Sequence, residues 1–257
     1  MNALRQHWLR IAITLLPVLV ALGHAVGVWR SPFVEPFDNF IYDARLRLTM
    51  PRTLDPRIVV VDIDDPSLQQ FGQWPWSRDK LARLTEELMG RQQAAVLGYD
   101  VLFVEPDGSS GLASLQQLAA GPLRDDAAFA AQLERLAPSL DHDTIFARSL
   151  ADRRVSLGYY FSLTPQAHAK GRLPVPLLPP DAFPTGRHYA THWNGFAGSI
   201  APLAEAAPAG GFINVLIESV GDGVVRAAPL MARYEGAAAE PGYYGSLALA
   251  VYRPDGP

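Results

Sequence analysis

IVVVDIDDPSLQQFGQWPWSRDKLARLTEELMGRQQAAVLGYDVLF, residues 58–103, is the stretch that decides how this chain is read. Ile58–Ile63 is a β-branched run bounded by Asp-Pro on both sides, which predicts a buried strand. Leu81, Leu84 and Leu88 then mark one face of a helix beginning near Arg78, with Ser77 placed to cap it. Ala95–Phe103 reads as a second strand. Strand, helix and strand at this spacing predict a right-handed βαβ unit with parallel strands, and hence an α/β fold.

In such a unit the carboxyl ends of the strands and the amino end of the helix share one sheet edge, where open α/β folds bind ligands. Asp62, Asp64 and Asp65 would leave the first strand close to Asp100, with Glu105 just beyond. Carboxylates so gathered resist ionising together and call for a cation. Arg78 is the candidate. An arginine in the first turn of a helix faces the positive end of the dipole, so a compensating pairing to Asp64 or Asp100 is expected. Pro75 stiffens the approach, and Trp74 and Trp76 would cover the pair. Two readings stay open: a ligand-sensing edge made by Asp64, Trp74, Trp76, Arg78 and Asp100, or a structural ion-pair network with the tryptophans as core filler.

Outward from this stretch, Asp125–Leu136 and Asp143–Asp152 look helical and Val155–Leu163 supplies another strand. Residues 164–211 are broken by prolines, leaving room for a short helix near Leu203–Ala207. Phe212–Ile217 and Val224–Leu230 flank Gly221-Asp222-Gly223, which predicts a C-terminal hairpin shaped by Asp222 and Arg226. A last helix is expected over Tyr243–Tyr252.

The amino terminus sets the compartment. Trp8–Trp29 is long enough as a helix to cross a bilayer, with a tryptophan at each interface. Arg5, His7 and Arg10 lie at or before its start, so the positive-inside rule leaves the amino terminus in the cytoplasm and exports the rest. The alternative is a cleaved signal peptide, with Ile11–Leu22 as its apolar region and Gly23-His24-Ala25 as the cleavage site. Gly23 and Gly27, beside Ala21 and Ala25, offer a GxxxG face for helix pairing. Phe33, Phe37, Ile41, Ala44 and Leu48 predict an amphipathic juxtamembrane helix. The division expected is thus 1–30 cytoplasmic stub and anchor, 31–54 juxtamembrane helix and linker, and 55–257 exported domain with a mixed, partly parallel sheet.

Composition removes several functions. The 257 residues carry a net charge of −4, and residues 1–30 contain Arg5, Arg10 and Arg30 without an acid, so the remainder carries −7 (−4 less those +3). An acidic body argues against nucleic acid as a partner. Without cysteine there is no disulfide or thiolate chemistry. Asp62-x-Asp64 resembles the first motif of haloacid-dehalogenase-like phosphatases, where Asp62 would be nucleophile and Asp64 acid/base. It departs from that family at Pro66, and Lys80 and Lys170 are the only lysines available. His188 and His192 have i,i+4 spacing but lack the glutamate of a zinc-protease motif. No cofactor, metal or catalytic residue is expected.

FDNFIYDARLR (37–47), DPRIVVVDIDDPSL (55–68), GQWPWSRDKLARL (72–84), YDVLFVEPD (99–107), GGFINV (210–215), DGVVRAAPL (222–230) and YGSLALAVY (244–252), in this order, resemble the CHASE type 2 domain. That family is the cyclase/histidine-kinase-associated sensory extracellular domain of bacterial receptors. The resemblance implies an exported sensor behind a membrane helix in the inner membrane, acting as a homodimer on an unidentified ligand or periplasmic partner. A cytoplasmic cyclase or kinase output would lie outside this chain. Members usually continue past the SLALA-like helix, so the chain reads as truncated at its C-terminus. Glu218–Gly221 also replaces the Pro-Asp-x that often precedes the Asp-Gly turn. The rival reading is an exported binding or structural module without signalling.

Overall fold

The computed structural model describes residues 2–28, 34–164, 168–183, 190–215 and 224–253. The chain divides into two compact units, Met1–Asp62 with Ile217–Val224, and Ile63–Leu216 with Val225–Pro257.

In the first unit, α1 (Asn2–Ala25) and α2 (Glu35–Thr49) are the helices, the second over the segment where an amphipathic helix is expected. The α1 helix ends sooner than the apolar run. Gly27, at φ 73°, bends the chain so that its amide reaches the His24 carbonyl and the Val28 amide reaches that of Gly23. This is a Schellman-type cap, which requires the left-handed conformation that glycine adopts without strain. Gly23 and Gly27 therefore do not form one helical stripe, which corrects the GxxxG reading. His24 Nε2 lies 2.8 Å from Asp38 Oδ2. Among the described residues no helix is long and apolar enough to cross a membrane. Trp29, the far end of the expected span, lies outside them.

Ile58–Ile63 forms no strand. Val59 and Val60 are 78% and 86% exposed, and Ile58 donates its amide to Asp55 rather than to a neighbouring strand. The parallel unit instead begins one step later in the chain.

The second unit opens with α3 (Asp65–Phe71) and α4 (Arg78–Thr85), which continues as a wider π turn over Glu86–Arg91. Next come β1 (Leu97–Leu102), α5 (Leu112–Ala120), α6 (Ala127–Leu140), α7 (His142–Leu150) and β2 (Val155–Ser162). Asp126 and Asp141 cap α6 and α7, accepting from the amides of Phe129 and Thr144. The helix α5 has no counterpart in the sequence expectation.

Beyond β2 lie β3 (Ala169–Lys170), β4 (Thr191–Trp193), β5 (Gly195–Ala197), α8 (Ala201–Ala206) and β6 (Ala209–Phe212). β7 (Met231–Tyr234), β8 (Gly242–Gly245) and α9 (Leu247–Tyr252) complete the unit. Val224–Leu230 is not a strand, and Asp222 lies outside the described residues. The observed C-terminal hairpin is β7–β8, antiparallel from Met231↔Gly245 to Tyr234↔Gly242. Tyr243 and Tyr244 accordingly sit in a strand rather than in the expected helix.

β2 is the spine of the sheet. Its first half pairs in parallel with β1 and with β6, and its last three residues pair antiparallel with β5. At Gly158 the strands approach so closely that a Cβ would lie 2.7 Å from the Tyr99 carbonyl oxygen, so glycine is required there. Where β6 has ended, the buried Asn214 side chain replaces a strand, accepting from the Phe161 amide and donating to its carbonyl, both at 2.8 Å.

One core joins α4, β1, α7, β2 and α8 through Leu81, Tyr99, Phe103, Phe146, Leu150, Leu157 and Leu203. Tyr99, Phe103 and Phe146 meet edge to face at 5.3–5.7 Å, the arrangement favoured by ring quadrupoles. The Tyr99 hydroxyl is satisfied by buried Thr85 at 2.8 Å. A second cluster gathers Tyr159, Phe161, Phe196, Phe212, Tyr234 and Tyr244. The Tyr159 and Tyr244 phenols are raised above their ordinary value, burial being the main cause.

Candidate functional site

A cleft of about 740 Å³ opens between the start of α4 and the segment that leaves β1. Its lining includes Trp74, Pro75, Trp76 and Arg78 from the approach to α4 and its first residue, and Asp100, Glu105 and Asp107 from β1 and the segment after it. Four of the five residues expected at a sensing edge are thus brought together. Asp64 is not among them. It caps α3 instead, accepting from the Ser67 hydroxyl and amide, and these bonds hold its carboxyl below the ordinary value.

The partner of Arg78 also differs from expectation. Its Nε lies 3.4 Å from Asp143 Oδ1, close as an ion pair but without hydrogen-bond geometry. Its Nη2 donates to the Glu105 carbonyl at 3.1 Å, and its guanidinium carbon sits 4.3 Å from the Phe103 ring centroid. The side chain is 12% exposed and Asp143 14%. Burial lowers the Arg78 pKa while Asp143 and Asp107 oppose that change. Neither Asp64 nor Asp100 pairs with it, because the strand expected to carry Asp64 is absent and Asp143 arrives at the start of α7.

Ser77 is the residue before the helix, yet its hydroxyl donates to Asp79. The carboxylate of Asp107 takes over the capping, accepting from the Arg78 amide at 2.7 Å. An acid there also answers the positive end of the helix dipole. Asp107 further accepts from the Ser109 amide at 2.8 Å and lies 3.2 Å from His142 Nδ1. Its own amide donates to Asp143 Oδ2 at 2.9 Å. Burial alone would raise its pKa, but the bonds from Ser109, Arg78 and His142 hold it below the ordinary carboxylate value.

Asp107, His142 and Asp143 are the residues that sequence reasoning missed. A signal was present: Asp141-His142-Asp143 puts two acids at a helix start where one suffices, and Asp141 is the cap. The surplus Asp143 is free to meet a cation elsewhere. Nothing local shows that this cation lies on α4.

The two tryptophans differ. Trp76 packs against the first core and donates its indole N–H to the Gly72 carbonyl at 2.7 Å. Trp74 is 39% exposed, its ring set edge-on to Trp76 at 6.1 Å. Core filler describes Trp76 in part, while Trp74 stands at the mouth of the cleft. Arg226 lies outside any strand, and His192, on β4, faces Glu235 at 3.3 Å. His188 is outside the described residues. Among the described residues no group of His, Asp and Glu could hold a metal ion.

A family model described as CHASE2 domain matches residues 15–255. No curated protein and no solved structure matches the chain.

Proposed function

The chain belongs to the CHASE2 domain family, whose members are sensory extracellular domains, and from that premise we propose that it is the extracytoplasmic signal-input domain of a bacterial membrane receptor. The observation that carries this reading is the family match over nearly the whole chain. The receptor would hold its sensor outside the cytoplasm by the Trp8–Trp29 segment. The large apolar side chains of α1 from Ile13 through Leu22 stand exposed. It would act as a homodimer, but through surfaces other than a Gly23–Gly27 stripe. Its signal would regulate a cyclase or kinase on the cytoplasmic side.

Sensing requires two arrangements of the domain with different ligand affinities. The cleft suits such a switch, since one wall begins α4 and the other follows β1, with the buried Arg78, Asp107 and Asp143 joining them. No side chain is assigned a catalytic role.

Export is tested by fusing alkaline phosphatase, which is active only outside the cytoplasm, after residue 253 in a bacterial host. High phosphatase activity is expected. Activity from a cytoplasm-dependent reporter at the same junction, with none from phosphatase, would refute the receptor reading.

A further inference from the structure

The chemistry of the cleft wall names the class of ligand, and this inference rests on the sensory reading above. Arg78 is the only cation among the described lining residues, and its charge is already directed inward to Asp143, the Glu105 carbonyl and the Phe103 ring. Asp107 is 8% exposed and occupied by the Arg78 amide, Ser109 and His142. Glu105 is held by Lys170 at 3.1 Å. That leaves Asp100, exposed and with no hydrogen bond or ion pair to any described residue. The half-exposed Trp74 ring lines the same cleft, cornered against Trp76, whose indole N–H is used within the chain.

We propose that this cleft binds a small organic cation, an ammonium or guanidinium carried on an apolar body. The indoles receive the apolar body and attract the charge through their ring faces. Asp100 accepts a charge-assisted hydrogen bond from the cationic head. An anion meets the opposite situation, facing the unpaired Asp100 while Arg78, the one cation among the described lining residues, is already paired. The volume, about 740 Å³, lies within the roughly 300–1,000 Å³ range of small-molecule sites.

The test uses the whole chain and three probes with one skeleton and different heads: phenethylammonium, 2-phenylethanol and 3-phenylpropanoate. Indole N–H signals are followed by NMR, with those of Trp74 and Trp76 assigned by Trp74→Phe and Trp76→Phe. Phenethylammonium is expected to shift both signals and to bind about tenfold tighter than the alcohol, with the carboxylate silent. Asp100→Asn should remove most of that tenfold preference without changing the melting temperature, and added salt should weaken binding. Equal binding of alcohol and ammonium, preference for the carboxylate, an unaffected Asp100→Asn variant, or no shift with any probe would each overturn the proposal. The phosphatase fusion reads export independently, so loss of the cation preference leaves the sensory reading standing.

Discussion

Two runs of this chain share a vocabulary and meet opposite fates. Ile58–Ile63 and Leu97–Phe103 are both mostly large apolar residues, and both lead into acids. The second forms β1 up to Leu102, paired with β2, and buries Tyr99 and, just past the strand, Phe103 against α4 and α7. The first belongs to no strand or helix, and its valines are exposed. The difference teaches that a strand is a relation between segments. Its backbone groups need a ladder partner and its side chains need a facing layer, and neither requirement is written in the run itself.

The acids after each run repeat the lesson. Asp64 caps the helix that begins at the next residue, accepting from Ser67 three positions on. Asp107 serves Arg78, 29 positions earlier in sequence.

The largest expected effect tests the first contrast. Phe103→Ala removes a side chain with 0% exposure and should lower the unfolding free energy by about 3–5 kcal/mol in denaturant titration. Val60→Ala should change it by no more than about 0.5 kcal/mol. Equal losses would mean that the first run is packed after all, and the comparison would fail.

A smaller effect sharpens the second contrast. Asp107→Ala should cost about 1.5–3 kcal/mol at pH 7, since it leaves the Arg78 amide and the His142 side of the cluster without their acceptor. The folded Asp107 pKa is depressed, so its contribution is complete above the ordinary carboxylate value of 3.8 and disappears as pH falls through the lower folded value. Stability curves of parent and variant should therefore converge in acid. Curves that stay parallel down to about pH 2 would show that the Asp107 charge contributes nothing. Asp64→Ala should do less, because that cap is solvent-exposed and local.

The smallest expected loss at a buried position concerns what can substitute for a strand. Asn214→Ala should cost about 1 kcal/mol and speed hydrogen exchange at the Phe161 amide. Unchanged exchange there would show that the ladder continues past β6 without the Asn214 amide.

The helices were the most legible part of the fold. The helices α6 and α7 lie within two residues of their expected starts, and Asp126 and Asp141 cap them from within one turn; α4 also begins where expected, but its cap is Asp107, 29 positions away. Val155–Ser162 was legible for a different reason: it is apolar almost throughout and buried on both faces. The hairpin was misplaced because Gly-Asp-Gly is a strong turn signal in isolation. The ladder formed instead between β7 and β8, where Tyr234 and Tyr244 could be buried in the second aromatic cluster.

The sequence by itself indicated an acidic α/β chain with an amino-terminal helix, and it put Trp74, Trp76 and Arg78 at one helix start; that Asp100 joins them while Asp64 does not was left open. Those features follow from periodicity, capping and charge, which act over a few residues or over the whole composition. Only the tertiary structure decided which carboxylate meets Arg78. Several acids were equally eligible in sequence, and α7 is the element whose packing beside α4 delivers Asp143 to the guanidinium while Asp100 is left facing the cleft.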